Sequence, residues 1–416
     1  MGEQFPFEGT APNMFSGAEL DKRYAVLHAT EERTHTTSDG TFVWHYEDVK
    51  EILEAKTAGL TKANSLDPLD GYAKIAMNPL AIPPFVRHLV PLPAKATANN
   101  IDHERHDKIW QAMAGPDGYF RIKETAEAEE AMVGHFNAAY ELGRIAIENG
   151  RDIIDISGIV APKFAASVMT EWVGLPLEEA GMVEIWSRSQ SGLLGRHYTN
   201  WREQAEAVRG LGNLFTASKN LVRARLKDRT DDFPSHLLNA GVSPRDTVAA
   251  LANSLAAGVF TVSGTIERAS VDLLGPQREL YAQLADPDRL RKIGREALRR
   301  TPGLIMWKAG ATQEVTLASG TTLQPGTIFA MIEAANRDPN VFTQPNDFLP
   351  DRKGAQPLTF GQGEHICPGQ WIARLGLQVF LRELQQKAPE ATLIPVRRSQ
   401  PAPDLLFSGA DVVIAA

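Results

Sequence analysis

Apolar residues recur at helical spacing along one stretch in the second half of the chain. The positions are Val248, Leu251, Leu255, Val259, Val262 and Ile266. An apolar stripe of this kind is typical of a helix that faces a protein core. Ser243 is a candidate N-cap, Pro244 suits the first helical position, and Asp246 lies three residues after the cap. The pattern predicts a helix from Pro244 to about Leu274, on the order of 45 Å long.

The middle of this predicted helix has almost no side chains. Ala256, Ala257 and Gly258 follow one another there, and a glycine inside a helix costs about 1 kcal/mol relative to alanine. We therefore expect a bulky group to press against the helix at this point. A close crossing with another helix would explain the same residues.

Elsewhere the pattern predicts a mainly helical body with a small β region. Residues 41–54 predict a strand followed by a short helix, and residues 66–98 are apolar but broken by prolines, as in a loop over a pocket. The chain from about 120 to 300 is predicted to be helical, with turns near 149–151, 175–177 and 229–245.

The pattern changes after residue 300. Short apolar runs separated by Gly320 and by Pro325-Gly326 predict strands and turns. A last amphipathic helix is predicted after Cys367, with Ile372 and Val379 on its apolar face.

Composition excludes several classes of protein. The 416 residues are 43% hydrophobic and carry a net charge of −8, so there is no basic excess for nucleic-acid binding. A single cysteine excludes an intramolecular disulfide and favours a reducing compartment. No secretory signal and no apolar run of about 18 residues is apparent. We therefore expect a cytoplasmic protein without a membrane span.

The candidate chemistry is concentrated around the cysteine. A metal-bound thiolate needs hydrogen-bond donors near the sulfur and a favourable potential. Gly361 and Gly363 precede Cys367 and allow close approach of the backbone, while Gly369 follows it and a helix is predicted from Gln370. By itself a lone cysteine is more often a small buried apolar residue.

The segment resembles the haem-binding motif of the cytochrome P450 superfamily, Phe-x-x-Gly-x-x-x-Cys-x-Gly. Phe360, Gly363, Cys367 and Gly369 match it, and His365 matches a frequent histidine that contacts a haem propionate. The resemblance covers residues from about 40 to the end and is strongest over 290–385. It implies the P450 fold, mainly α with a small β region and a long central helix over the haem. It also implies haem b bound through iron to Cys367.

A second motif supports this resemblance. Glu296 and Arg299 match the Glu-x-x-Arg motif of the family, and Arg352 matches the later arginine that completes a buried network. The implied role of these residues is structural, in holding the cysteine loop. The stretch 336–339, Asn-Arg-Asp-Pro, also resembles bacterial members.

The resemblance also implies partners for the haem propionates. His106, Trp110 and Lys308 occupy the family's positions for these contacts, and His103 is an alternative to His106. Bacterial members usually carry arginine where Trp110 stands, and an indole N–H can donate only one hydrogen bond. The alternative for each of these residues is a surface polar group.

The central helix departs from the family pattern Ala-Gly-x-acid-Thr. Ala257, Gly258 and Thr261 match it, but Phe260 replaces the acid that helps to relay protons. Water and Thr261 would then suffice, or substrate groups would deliver protons, or the chemistry would differ. The structural alternative is that Phe260 packs into the core and Thr261 only bonds a backbone carbonyl.

The resemblance implies one domain over the whole chain. Its predicted parts are an N-terminal segment (1–40), a β-rich entry with the apolar loop (41–98), a helical body (99–300), a β region with the haem loop (301–369), and a final helix with C-terminal strands (370–416).

The implied function is a monooxygenase that inserts one atom of O2 into a hydrophobic small organic substrate. Electrons would come from a separate ferredoxin and ferredoxin reductase or a flavodoxin-type donor, with Arg374 and Lys353 as candidate docking contacts, and we expect a monomer. Residues expected to face the substrate are 75–90, 165–215, 255–261, Leu304–Met306 and Leu405–Phe407. The alternatives are a peroxygenase, hydroperoxide isomerase or nitric oxide reductase, and a haem-binding protein without turnover.

Overall fold

The structure is a computed structural model that describes residues 5–8, 10–61, 78–89, 104–123, 125–195, 200–396 and 404–416. Most of the proline-broken stretch 66–98 lies outside these residues. Within it, residues 78–89 form two helical turns, Ile82–Pro84 and Phe85–Leu89.

Helices make up most of the described chain. In chain order they are α1 (Gly17–Ala29), α2 (Tyr46–Glu54), α3 (Glu104–Ala114), α4 (Ala126–Gly143), α5 (Ala161–Trp172), α6 (Ala180–Gly195), α7 (Trp201–Lys227), α8 (Phe233–Asn239), α9 (Pro244–Leu274), α10 (Pro287–Arg300) and α11 (Gln370–Lys387). Short helical turns lie at Tyr119–Ile122, Arg278–Tyr281 and Ile332–Ala335. The mainly α architecture that the sequence predicts is confirmed in the structure.

The predicted central helix is confirmed as α9. The Ser243 hydroxyl accepts the N–H of Asp246 at 3.1 Å, and Pro244 is the first helical residue. The side chains of Leu251, Leu255 and Ile266 are fully buried. Because α9 packs against α5, α6, α7 and α11, it forms the axis of the helical core.

By length and composition, α9 is also apolar enough to cross a membrane. Its most apolar 18-residue window has a mean hydropathy of 1.4, and 56% of that window is buried inside the protein. The helices around α9 therefore account for its apolar character as a core helix.

The strands form three sheets in the described residues. The strands are β1 (Thr34–Thr36), β2 (Thr41–Val43), β3 (Leu60–Thr61), β4 (Arg144–Glu148), β5 (Arg151–Asp155), β6 (Trp307–Ala311), β7 (Val315–Thr316), β8 (Thr322–Leu323), β9 (Gly326–Ala330), β10 (Thr392–Ile394) and β11 (Val413–Ala415). Their orders are β1-β2-β9-β6-β3, β10-β11-β5-β4 and β7-β8. The strand and helix predicted at 41–54 and the strands predicted after residue 300 are confirmed.

A β-hairpin interrupts the region that was predicted to be helical. Strands β4 and β5 pair around Asn149 and Gly150, which both have positive φ, 51° and 78°. Such a two-residue turn matches the twist of the paired strands, and Asn-Gly is its strongest sequence signal. The turn near 149–151 was therefore predicted correctly, but its hairpin was missed. Likewise, α8 lies inside the predicted turn region 229–245.

The apolar side chains form three buried clusters. The largest surrounds α9, and a second lies between α2 and the five-stranded sheet. The third is aromatic and joins the N-terminal segment to the C-terminal one, with Phe7, Tyr24, Trp44 and Phe407 among its members. Phe260 of α9 packs against this third cluster.

Candidate functional site

The loop that carries Cys367 is closed by its own backbone. The N–H of Cys367 donates to the carbonyl of Phe360 at 2.8 Å, and that of Ile366 donates to Gly363 at 3.1 Å. Gly361 and Gly363 have φ values of 74° and 75°, which favour glycine. A Cβ atom on Gly363 would lie 2.9 Å from the Cα of Glu54, so the loop packs directly on the end of α2.

The sulfur of Cys367 is poorly solvated, although the residue as a whole is partly exposed. Burial raises the pKa of the thiol to about 11, while the N–H of Gly369 and the charge of Arg374 oppose that rise. The thiol is therefore neutral near pH 7 unless a cation binds it. A metal ion supplies such a charge and deprotonates a coordinating thiol.

Helix α3 contacts the cysteine loop through residues that the sequence singled out. The rings of His106 and His365 lie 4.2 Å apart between centroids, and Nδ1 of His106 lies 3.5 Å from a carboxylate oxygen of Glu364. The indole N–H of Trp110 donates to the carbonyl of Ile366 at 2.9 Å. In this arrangement that N–H ties α3 to the residue before the cysteine, and the contact of Trp110 with a propionate stays a prediction.

The side-chain-poor middle of α9 is a close helix crossing. A Cβ atom on Gly258 would lie 2.6 Å from the sulfur of Met169 in α5. Met169 is thus the group that presses against Gly258. This agrees with the alternative prediction for this stretch, a close crossing with another helix. Ala257 is exposed although it lies in the middle of the core helix.

The two residues at the end of the predicted distal motif both have partners. The hydroxyl of Thr261 donates to the carbonyl of Ala257 at 2.7 Å. The ring of Phe260 meets that of Phe407 edge to face, with centroids 5.1 Å apart. The hydroxyl of Thr261 can still accept a hydrogen bond, but it donates only if it leaves the carbonyl.

Comparisons with known proteins agree with this geometry. The family model for cytochrome P450 matches residues 277–387, which include α10 and the cysteine loop. The mycinamicin IV hydroxylase/epoxidase of Micromonospora griseorubida is 30% identical over 268 residues, 61% of this chain and 65% of that protein. The chain belongs to the cytochrome P450 superfamily.

A further curated relative and a solved structure show the extent of the likeness. The biotin biosynthesis cytochrome P450 of Bacillus subtilis is 25% identical over 253 residues, 59% of this chain and 62% of that protein. The alignments thus span less than two thirds of these curated relatives. The P450 heme domain of Tepidiphilus thermophilus has the same fold, with a TM-score of 0.81 at 16% identity over 97% of this chain and 96% of that one.

The Glu-x-x-Arg motif of this P450 forms a buried charge network. Glu296 accepts two hydrogen bonds from Arg299, at 2.7 and 3.0 Å, and one from Arg352 at 3.2 Å. Arg299 also donates to the carbonyls of Asn336, Pro345 and Asp347. The network therefore fixes the irregular stretch 336–352 against α10.

Asn336 extends this network to the cysteine loop, and the sequence alone did not single out its side chain. Its amide nitrogen donates to the carbonyl of Arg299 at 3.1 Å and to the hydroxyl of Thr359 at 3.0 Å. Its amide oxygen accepts the N–H of Leu358 at 2.7 Å. Because Thr359 and Leu358 immediately precede Phe360, Asn336 links the charge network to the loop of Cys367.

The structure contains a second buried charge network that the sequence did not predict. Glu333 pairs with Arg268 of α9 and, at 3.0 Å, with Arg337, and it accepts the hydroxyl of Tyr24 at 3.2 Å. All four side chains are buried. Arg337 lies in the Asn-Arg-Asp-Pro stretch, which resembles bacterial P450s but had no predicted role.

Lys308 and His103 complete the predicted positions around the haem. Lys308 is half-buried in β6, opposite Phe329 of β9, and its propionate role stays a prediction. His103 lies outside the described residues.

The P450 family implies a haem, and the residues present fit that group. The only thiol of the chain accepts a backbone N–H, and its burial favours coordination over a free thiolate. His106 of α3 and His365 of the cysteine loop bring two imidazoles together, and α9 packs on α11, the helix that follows the cysteine. Cys367 would hold the iron, and His106 and His365 would face the propionates.

Proposed function

We propose that this P450 is a haem b monooxygenase that inserts one atom of O2 into a hydrophobic small organic molecule. The observation that carries the proposal is the thiol of Cys367, whose sulfur combines burial with a hydrogen bond from Gly369 and a nearby guanidinium. When bound, the haem supplies O2 activation with two electrons, and a thiolate ligand favours O–O cleavage. Relatives such as the mycinamicin IV hydroxylase/epoxidase support this reaction type.

The residues of the chain would act by positioning and by excluding water. The network of Glu296, Arg299 and Arg352 would keep the cysteine loop in place, because the buried carboxylate of Glu296 accepts hydrogen bonds from both arginines. Thr261 would accept a hydrogen bond at the distal side while its own hydroxyl continues to donate to the carbonyl of Ala257. With Phe260 at the usual acid position, protons would arrive through water held by Thr261.

Apolar side chains support a hydrophobic substrate. Phe260 and Phe407 form an edge-to-face pair, and Leu304 bridges to Phe407 through its backbone. All three lie in regions that the sequence assigned to the substrate pocket. Such a pocket is lined mainly by apolar groups with few polar ones.

Electrons would come from a separate partner, either a ferredoxin with its reductase or a flavodoxin-type protein. Arg374 lies beside the cysteine, with its guanidinium over the ring of Phe360 at 4.8 Å. We propose a cytoplasmic monomer; the single cysteine supports a reducing compartment.

A carbon monoxide difference spectrum of the reduced protein tests the cofactor assignment. A thiolate ligand predicts a band at about 450 nm. Cys367→Ser should abolish this band, and Cys367→His should move it to shorter wavelength while retaining haem. A band at about 450 nm in Cys367→Ser would reject the ligand assignment.

Turnover under ¹⁸O2 tests the reaction. With NADPH and a surrogate ferredoxin system, an accepted apolar substrate should gain one ¹⁸O atom. Phe260 favours a second candidate, a peroxygenase, because its ring cannot relay protons to oxygen. Product that forms with hydrogen peroxide but not with NADPH and O2 would support that candidate instead.

A further inference from the structure

Three side chains far apart in sequence place metal-binding atoms together outside the haem site. His28 lies in the last turn of α1, His45 is the residue before α2, and Asp338 follows the turn Ile332–Ala335. One ligand atom of each lies within 4.8 Å of the others. His45 and Asp338 are buried and His28 is partly buried.

The ring of His28 is arranged as in a metal-bound histidine. Its Nε2 lies 2.9 Å from the carbonyl of Ala334, and since a carbonyl only accepts, Nε2 carries the proton. The lone pair is then on Nδ1, which is buried and has no hydrogen-bond partner in the described part of the chain. Metal-bound histidines commonly donate the other ring N–H to a carbonyl or carboxylate, which fixes the tautomer.

The carboxylate of Asp338 is held in place with coordination capacity to spare. Its Oδ2 accepts the N–H of Tyr46 at 2.9 Å, and its Oδ1 accepts the N–H of Asn340 at 2.9 Å. Nδ1 of His45 lies 3.5 Å from Oδ2. Oδ1 accepts only one of these bonds and has a second lone pair, so it leaves room for a metal ion.

The positive charge next to the site is already paired. The neighbouring Arg337 already pairs with Glu333 at 3.0 Å and Asp21 at 3.3 Å, so its positive charge is compensated.

We propose that His28, His45 and Asp338 bind a divalent transition-metal ion of the zinc class. Two imidazoles and one carboxylate suit zinc and its neighbours, whereas magnesium and calcium prefer oxygen ligands. Tetrahedral zinc places its ligand atoms about 3.4 Å apart. Binding therefore draws the imidazoles inward by roughly 1 Å, and a water molecule completes the coordination.

The position of the site gives the metal a structural role. It joins α1 and α2 to Asp338, which lies two residues after Asn336. Asn336 in turn binds Leu358 and Thr359, just before the cysteine loop. A bound ion would therefore stabilise the support of the haem site without touching it.

Calorimetric titration of the haem-loaded, tag-free, chelator-treated protein with ZnCl2 tests the proposal. We expect one Zn²⁺ per chain at micromolar or lower dissociation constant, a rise in Tm on zinc addition, and no binding of Mg²⁺. His28→Gln and His45→Gln should each weaken zinc binding by roughly tenfold or more and abolish the rise in Tm. His35→Gln is the matched control, because His35 is more exposed and pairs with Glu8; its zinc affinity should equal that of the unaltered protein.

Two results would overturn the site. One is the lack of saturable one-to-one zinc binding below about 100 µM. The other is an affinity that stays unchanged in both His28→Gln and His45→Gln, or that falls equally in His35→Gln. The Tm of each metal-free variant shows whether it folds, and Asp338→Asn, which keeps an oxygen acceptor, gives a third substitution at the site. The carbon monoxide spectrum should be the same in all variants, so failure of this site is distinguishable from failure of the haem assignment.

Discussion

The two sides of the candidate haem site are held in different ways. On the cysteine side, buried charges and an amide connect α10, the stretch 336–352 and the loop, through Glu296, Arg299, Arg352 and Asn336. On the side of α9, close contacts between backbone segments hold the structure instead of charges. A Cβ atom on Gly264 would lie 2.3 Å from the carbonyl oxygen of Ser408, for example.

This difference affects how each side tolerates change. A polar network fails when one member is lost, because the remaining charges stay buried without compensation. A close approach fails when atoms are added, because a packed interior cannot expand. The cysteine side should therefore be sensitive to removal of charge, and the α9 side to added bulk.

The largest effect is expected from Glu296→Gln. Buried Arg299 and partly buried Arg352 would lose their carboxylate, and breaking a buried pair typically costs about 3–5 kcal/mol. Denaturant unfolding and the ratio of haem to protein would measure it. Asp288→Asn is the matched control, since this exposed residue of α10 also pairs with an arginine three residues on. It should leave the stability nearly unchanged, because exposed ion pairs contribute little, and equal losses in the two variants would contradict the network.

The second prediction concerns the thiol after haem removal. Because burial raises the pKa of Cys367 to about 11, its alkylation rate in the folded haem-free chain should keep rising through pH 10. In the urea-unfolded chain the rate should level off near the ordinary pKa of about 8.5. Folding then favours the protonated thiol, so the stability of the haem-free chain should fall as pH rises from about 9 to about 11. Identical alkylation profiles would show that the sulfur is well solvated.

Gly264→Ala tests the α9 side. Alanine is the better helix former by about 1 kcal/mol, but its Cβ would meet the backbone of Ser408, and overpacking usually costs about 1–3 kcal/mol. We expect a net loss of stability in thermal unfolding. Gly134→Ala is the control in α4, where a Cβ atom would meet nothing within 4 Å, and it should be neutral or stabilising. A stabilised Gly264→Ala protein would show that α9 does not depend on this approach.

The smallest effect on stability is expected from Thr261→Val, which removes a hydroxyl from α9 and keeps the side-chain shape. The stability should change by about 1 kcal/mol or less, since the lost bond only supplements the helix. Product formed per NADPH should fall by about tenfold, because the acceptor for bound water is lost. Ser263→Ala, whose hydroxyl donates to the carbonyl of Phe260, is the control and should keep the yield. Unchanged yield in Thr261→Val would remove Thr261 from the proposed chemistry.

The sequence predicted the parts of the fold that depend on local rules. The cap and apolar stripe located α9 to the residue, and the glycines around Cys367 marked the loop. The Asn149-Gly150 turn carries an equally local signal, but the apolar pattern around it predicts helix and so hides the hairpin. The charge network was anticipated through family resemblance, since Glu296 and Arg299 alone would be an ordinary surface pair.

Long-range proximity was decided only by the tertiary structure. Nothing local to Gly258 specifies Met169 as its neighbour, and nothing local to Trp110 specifies the carbonyl of Ile366. The same holds for His28, His45 and Asp338, which lie on three separate segments. Helix caps, turns and apolar periodicity are properties of a few consecutive residues, so the sequence alone determines them. Which side chains meet depends on how the whole core packs, and that is settled only when every element is in place.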